Sequence, residues 1–226
     1  MLDEPYKQLN QQVADRLRAL ISEGKIRPGE WLRQEHLAQA VGVSPTPFRE
    51  AVKALVAEGI LEHLPYRGVR VVQFSAQDIE DIYAVRAYLE SRAAGEAALK
   101  ITAEEIHALE ALETDLNAHL APSEIAIYRE INFRFHQAIY SASQRPYLIR
   151  SLNQLWALSP SMLWANFAST ANRPLESRTA ADPDEHRAIL DALRSHDALA
   201  AEKAMRHHIE EAGRELLQTI RQQEKR

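Results

Sequence analysis

The chain has 226 residues, 46% of them apolar and 26% charged, with a net charge of −5. That length suits two domains of ordinary size. The absence of cysteine excludes disulfides and thiolate metal sites, and no apolar run is long enough to span a bilayer.

The first element expected is a helix over Pro5 to Glu23, where Leu9, Val13, Leu17, Leu20 and Ile21 share one face. Gly24 ends it, and Arg27-Pro28-Gly29 reads as a turn. A short helix from Glu35 to Ala40 then meets a tight turn at Gly42-Val43-Ser44. A second helix follows from about Thr46 to Glu58 and stops at Gly59. Two β-prone runs, Ile60 to Leu64 and Val69 to Val72, flank a turn at Tyr66-Arg67-Gly68. Helix, turn, helix and hairpin in this order form a winged helix-turn-helix, whose second helix enters the DNA major groove. The domain boundary is expected at residues 73 to 76, giving a DNA-binding domain over 1–74 and a second domain over 75–226.

Ser75 and Asp78 open the next helix with a capping-box pattern. Helices are expected over 76–99, 103–120, 123–143, 146–169, 183–195 and 197–223. Thr102-x-x-Glu105, Pro122, Pro146 and Asp182-Pro183 mark their starts. Pro160 should kink the fourth, and the polar stretch from Ser169 to Asp182 reads as a loop. No strand signal follows residue 75, so the fold class is mainly α. An N-terminal winged helix-turn-helix precedes an all-α antiparallel bundle.

Charge is divided unevenly. Residues 1–75 hold 10 Lys/Arg against 9 Asp/Glu, and residues 76–226 hold 17 against 23. A near-neutral DNA-binding part implies modest affinity per module and therefore two modules per site. The N-terminus is polar, with no signal-peptide core, so a soluble cytoplasmic protein is expected.

Several blocks carry a family resemblance. GVSPTPFREAVKALVAEGIL resembles the winged-helix domain of GntR-type bacterial repressors. DIYAVRAYLESRAAGEAA, NFRFHQAI and DEHRAILDALRSHDALAAEKAMRHHI resemble the helical effector (FCD) domain of their FadR subgroup. The resemblance covers nearly the whole chain, with the motifs in the expected order. It implies a homodimeric regulator, in most members a repressor, that binds a palindromic double-stranded DNA operator and responds to a small carboxylate.

Arg49, in the first turn of the recognition helix, can reach guanine O6 and N7 with two parallel hydrogen bonds, and it is an arginine of the family motif. Ser44 and Thr46 can cap that helix or bind phosphate. Arg67 with Gly68 sits at the wing tip, within reach of the minor groove, and Arg33 is a further phosphate candidate. The family usually has Arg where this chain has Pro45, so the operator sequence does not carry over.

Asn132 and His136 stand four residues apart and share a helix face with Phe135 and Ile139 nearby, which points them inward. His186 and His208 lie further along the chain, and His207, about 100° around the helix from His208, is expected on the surface. Three imidazoles and one oxygen donor suit Zn²⁺, Ni²⁺ or a similar divalent ion. The resemblance implies that Asn132, His136, His186 and His208 are the ligand set, with Asn132 where Asp is common. A neutral amide oxygen binds a dication less well than a carboxylate does. Arg86 and Glu90 are spaced as a helix ion pair. The resemblance implies that Arg86 reaches the effector, and Tyr83, one turn earlier, can line the same cavity.

Two other readings are carried: the same regulator sensing its effector without metal, and a helical metal-dependent hydrolase using Glu185 beside His186 as base. The hydrolase lacks an H-E-x-x-H pair and gives the winged helix no use, so no enzyme activity is expected.

Overall fold

The computed structural model describes residues 4–22, 25–33, 37–38, 42–158 and 176–223. They fall into two compact units, one formed mainly by the chain through Phe74 and the other mainly by the chain from Ser75 onward.

The first unit contains α1 (Glu4–Ser22), β1 (Trp31–Leu32), α2 (Pro45–Ala57), β2 (Leu61–Leu64) and β3 (Gly68–Val71). The expected apolar face of α1 is real: Val13, Leu17 and Ile21 are buried, and Leu9 and Leu20 pack beside them. They meet Phe48, Val52 and Leu55 of α2 and Leu61, Val69 and Val71 of the sheet in one core. Each large side chain fully buried here stabilises the fold by about 1.5–3 kcal/mol. Of the expected helix at 35–40, Leu37 and Ala38 are helical, and the remainder lies outside the described residues.

Gly59 ends α2 as expected. With φ 72 it allows its own N–H to reach Val56 O (3.0 Å) and that of Ile60 to reach Leu55 O (2.9 Å). This is a Schellman closure, which needs a left-handed residue. The sheet is antiparallel in the order β1-β3-β2, with Glu62 opposite Arg70 and Trp31 opposite Arg70 on the other side. Strand β1 was not expected: two residues, Trp31 and Leu32, are too few to show alternation. At the wing tip Arg67 N bonds Leu64 O (3.1 Å), closing a turn with Pro65 second and Tyr66 third. Tyr66 takes φ 63, and Gly68 takes φ 100. Positive φ is therefore taken here by a fully exposed tyrosine as well as by the glycine.

The second unit contains α3 (Ala76–Ala98), α4 (Ala103–Ala118), a 3₁₀ turn (Pro122–Glu124), α5 (Ile125–Ala142), α6 (Pro146–Leu158), α7 (Glu176–Arg194) and α8 (Ala198–Gln223). Both expected capping boxes form. Asp78 N bonds Ser75 Oγ at 3.2 Å and Ser75 N bonds Asp78 Oδ2 at 2.7 Å. Thr102 and Glu105 exchange the equivalent pair at 3.2 and 2.9 Å. Helix α3 runs along α8 through small residues, and a Cβ on Gly213 would stand 2.8 Å from Tyr83.

The expected loop from Ser169 to Asp182 is wrong over its second half. Helix α7 already begins at Glu176 and carries Pro183 in its interior. An interior proline costs about 3 kcal/mol through a lost hydrogen bond and a ring clash, which is why Asp182-Pro183 reads as a start. Here Asp182, His186, Ile189, Leu190 and Leu193 are buried in the bundle, and that packing outweighs the proline. Pro160 lies outside the described residues. Among the described residues no helix is long and apolar enough to cross a membrane.

Candidate functional site

On the first unit, α2 turns Pro47, Phe48, Ala51, Val52 and Leu55 inward, and the helical period therefore leaves Thr46, Arg49 and Lys53 on its solvent face. Glu50 pairs with Lys53 at 2.7 Å, not with Arg49, so the Arg49 guanidinium stays on the exposed face. Ser44 does occupy the N-cap position, but its side chain makes no capping hydrogen bond. The third helical residue, a usual target of a capping hydroxyl, is Pro47, which has no N–H to offer. Thr46 lies inside the first turn. Arg33, Arg67 and Gly68 are exposed. Arg70, by contrast, is held by Glu62 at 2.6 Å and lies 5.7 Å from the Trp31 ring.

In the second unit, three helices bring their histidines to one place. His136 comes from α5, His186 from α7 and His208 from α8, all buried, while His207 is exposed. One ring nitrogen of each lies within 4.8 Å of the others. The Nε2 atoms of His136 and His208 are 3.3 Å apart, with their rings stacked at 26°.

The opposite nitrogens define the tautomers. His136 Nδ1 donates to Glu90 Oε2 at 2.7 Å, and His208 Nδ1 donates to Glu185 Oε2 at 2.8 Å. In neutral rings both Nε2 atoms then carry lone pairs facing each other. Two lone pairs at that distance repel unless a proton or a cation lies between them. Tetrahedral zinc with Zn–N bonds of about 2.05 Å separates its nitrogens by about 3.3 Å, so the observed spacing fits a cation. Asn132, one turn before His136, has its Oδ1 buried and without a hydrogen-bond partner among the described residues. The donor set thus suits a borderline divalent ion.

Arg86 and Glu90 form a buried pair at 2.8 Å, with side chains 5% and 1% exposed. Burial alone would raise the Glu90 carboxyl; Arg86 and then His136 outweigh it and hold the group below its ordinary range. Burial likewise opposes charge on Arg86, but Glu90 and Tyr83 prevail and hold it above its ordinary value. The guanidinium stands 4.2 Å from the Trp156 ring and 5.0 Å from that of Tyr83. Trp156 in turn lies 5.2 Å from the His136 ring, and its indole N–H is buried without a hydrogen-bond partner among the described residues.

Four participants were not singled out from sequence. From sequence, Glu90 reads only as a partner for Arg86, and Glu185 only as a base. Asp182, placed in a loop, accepts from Tyr128 Oη at 2.7 Å and lies 3.9 Å from His208 Nδ1. Trp156 had no distinguishing signal. Arg129, a further buried guanidinium, is pushed down to about 10 by burial, against the opposing influence of Tyr83.

Residues 81–211 match the FCD domain family, and residues 9–71 match the bacterial regulatory proteins of the gntR family. The chain is 30% identical over 224 residues to the putative L-lactate dehydrogenase operon regulatory protein of Escherichia coli, covering 90% of this chain and 84% of that protein. It is 29% identical over 204 residues to the probable D-xylose utilization operon transcriptional repressor of Paenarthrobacter nicotinovorans, covering 88% and 84%. Among solved structures, E. coli McbR/YncC has the same fold, with a TM-score of 0.72 at 24% identity over 97% of this chain and 100% of that one.

Proposed function

The chain belongs to the GntR family of bacterial transcription regulators and carries an FCD domain, and from this we propose that it is a metal-dependent, carboxylate-responsive repressor. DNA binding through the winged helix-turn-helix and a regulatory role, not an enzymatic one, follow from the family itself. Two copies engage a palindromic operator, since two-fold protein symmetry requires matching half-sites. Arg49 reads bases. Thr46, Ser44, Arg33, Arg67 and Gly68 contact backbone or minor groove.

In the helical domain His136, His186, His208 and Asn132 hold a divalent ion, with zinc or nickel preferred by an imidazole-rich set. The observation that carries this reading is the pair of Nε2 atoms 3.3 Å apart, each ring anchored from behind by a carboxylate. When bound, the ion supplies a Lewis-acidic position for an effector carboxylate. Asn132 adds no charge, which leaves room for that of the ligand. The Trp156 N–H, without a hydrogen-bond partner among the described residues, is a donor that an effector carboxylate would satisfy.

Effector capture by Arg86 alone is disfavoured, because removing it from Glu90 breaks a buried pair, at about 3–5 kcal/mol. Arg86 and Tyr83 therefore form the wall behind the site. For the effector to release DNA, it must bind the DNA-incompetent state more tightly.

Native mass spectrometry of protein purified without chelator or a metal-affinity column tests the reading. We expect a dimer with one divalent ion per chain, lost in His136→Ala. A metal-free dimer carrying a co-purified acid would replace it with direct effector binding.

A further inference from the structure

We propose that Glu90 is the positioning carboxylate of the three-histidine centre, and that Arg86 serves to hold Glu90 in its orientation. The inference rests on the metal reading above and extends it to residues behind the ligands.

Glu90 uses both oxygens. Oε1 accepts from Arg86 Nε at 2.8 Å, and Oε2 accepts from His136 Nδ1 at 2.7 Å. All three side chains are buried, so water does not compete for either bond. The bond to Oε2 places the His136 proton on Nδ1 and leaves Nε2 as a lone pair aimed at His186 and His208. A ligating histidine held in this way is fixed in tautomer and orientation and made more basic, and loss of such a carboxylate lowers metal affinity about 10–100-fold.

Arg86 fixes the other end of that carboxylate, because its Nε–H holds Oε1 while Oε2 faces His136. Its own place is set by geometry: one face lies over Trp156 at 4.2 Å, with Tyr83 at 5.0 Å. Trp156 also packs against the His136 ring at 5.2 Å. The indole therefore braces both ends of a chain running Arg86, Glu90, His136. Glu90 thus stands behind His136, at Nδ1 and not at the Nε2 that faces His208.

His208 has a different support. Its Nδ1 faces Glu185, with Asp182 behind, and Tyr128 Oη donates to Asp182. Loss of Glu90 should consequently weaken the centre at one imidazole and leave the other two in place.

The test is Co²⁺ and Zn²⁺ affinity of the full-length protein, by competition with a chromophoric chelator, together with the visible Co²⁺ spectrum. Two variants are compared with wild type. Glu90→Gln keeps the shape and removes the charge. Arg86→Met with Glu90→Leu removes the pair together and avoids an uncompensated buried charge. Thermal unfolding in EDTA confirms that each is folded. Both variants should bind each ion about 10–100-fold more weakly, with a shifted Co²⁺ ligand-field band. A packing role alone would lower the unfolding temperature and leave affinity and spectrum unchanged. Folded variants with wild-type affinity would overturn the role of Glu90 while leaving the metal reading intact. Failure of the wild-type protein itself to bind either ion would overturn both.

Discussion

Metal binding at a site built from three helices must stabilise the fold that assembles it. His136, His186 and His208 are separated by 50 and 22 positions in the sequence, so the unfolded chain offers them only as scattered, weak ligands. At free Zn²⁺ one hundred times the dissociation constant, linkage gives about 2.7 kcal/mol. For a domain of this size each kcal/mol raises the midpoint by about 2–4 °C, which predicts a shift of about 5–11 °C. Circular dichroism at 222 nm, in EDTA and then in Zn²⁺, measures it directly. The control is His136→Ala with His208→Ala, compared with itself across the two conditions, because the double variant is destabilised on its own account. A wild-type shift below about 1 °C, or an equal shift in the double variant, would refute the ligand assignment.

Arg49→Ala should cost about 1–3 kcal/mol at the operator and lower the ratio of specific to non-specific binding; an unchanged ratio in salt-matched binding assays removes Arg49 from base readout. Ser75→Ala should cost about 1 kcal/mol by loss of the α3 cap. Asp78 is held below its ordinary 3.8, first by the Ser75 hydroxyl and then by its backbone N–H. A depressed carboxyl stabilises above the unfolded value and loses that contribution as pH falls through the folded one. NMR titration of Asp78 in the variant should therefore move up toward 3.8, and no movement would show that the hydroxyl is not responsible. Gly213→Ala should destabilise the second unit by about 1–3 kcal/mol, since the new Cβ meets the rigid root of Tyr83, 2.8 Å away, and α3 must separate from α8. An unchanged urea midpoint would contradict that packing.

The winged helix was legible because its determinants are local. Gly59 terminates α2 through bonds to residues three and five positions earlier, and the core face of α1 follows from period alone. The two-residue strand β1 carries no period to read. Its existence depends on Val69 and Arg70, far along the chain. Pro183 misled for a related reason: the local cost of an interior proline is visible in sequence, whereas the burial of Asp182, His186 and Ile189 that offsets it is not. Resemblance and helix spacing nominated three histidines that the fold does bring together. The carboxylates that orient them were missed because Glu90 and His136 are 46 positions apart and Glu185 and His208 are 23 apart. Spacing made Arg86–Glu90 an ordinary helix pair, worth about 0.2–0.5 kcal/mol when exposed. Burial turns the same pair into a structural commitment.

Asn132 decides how charge is distributed around the site. The negative charge beside the imidazoles already comes from behind them, through Glu90 on His136 and Glu185 on His208. An acid at 132 would add another on the ligand side, at a buried oxygen that has no hydrogen-bond donor among the described residues. Asn132→Asp should therefore act with opposite signs in the two states. Without metal, a buried carboxylate lacking a donor is penalised by desolvation and the protein unfolds at lower temperature. With Zn²⁺, a carboxylate replaces an amide ligand and binding tightens at least tenfold, about 1.4 kcal/mol. The gap between the EDTA and Zn²⁺ midpoints should widen accordingly, while response to a carboxylate effector weakens, because the incoming charge now meets one already on the ion. An unchanged gap would place Asn132 outside the ligand set and reduce the centre to three histidines.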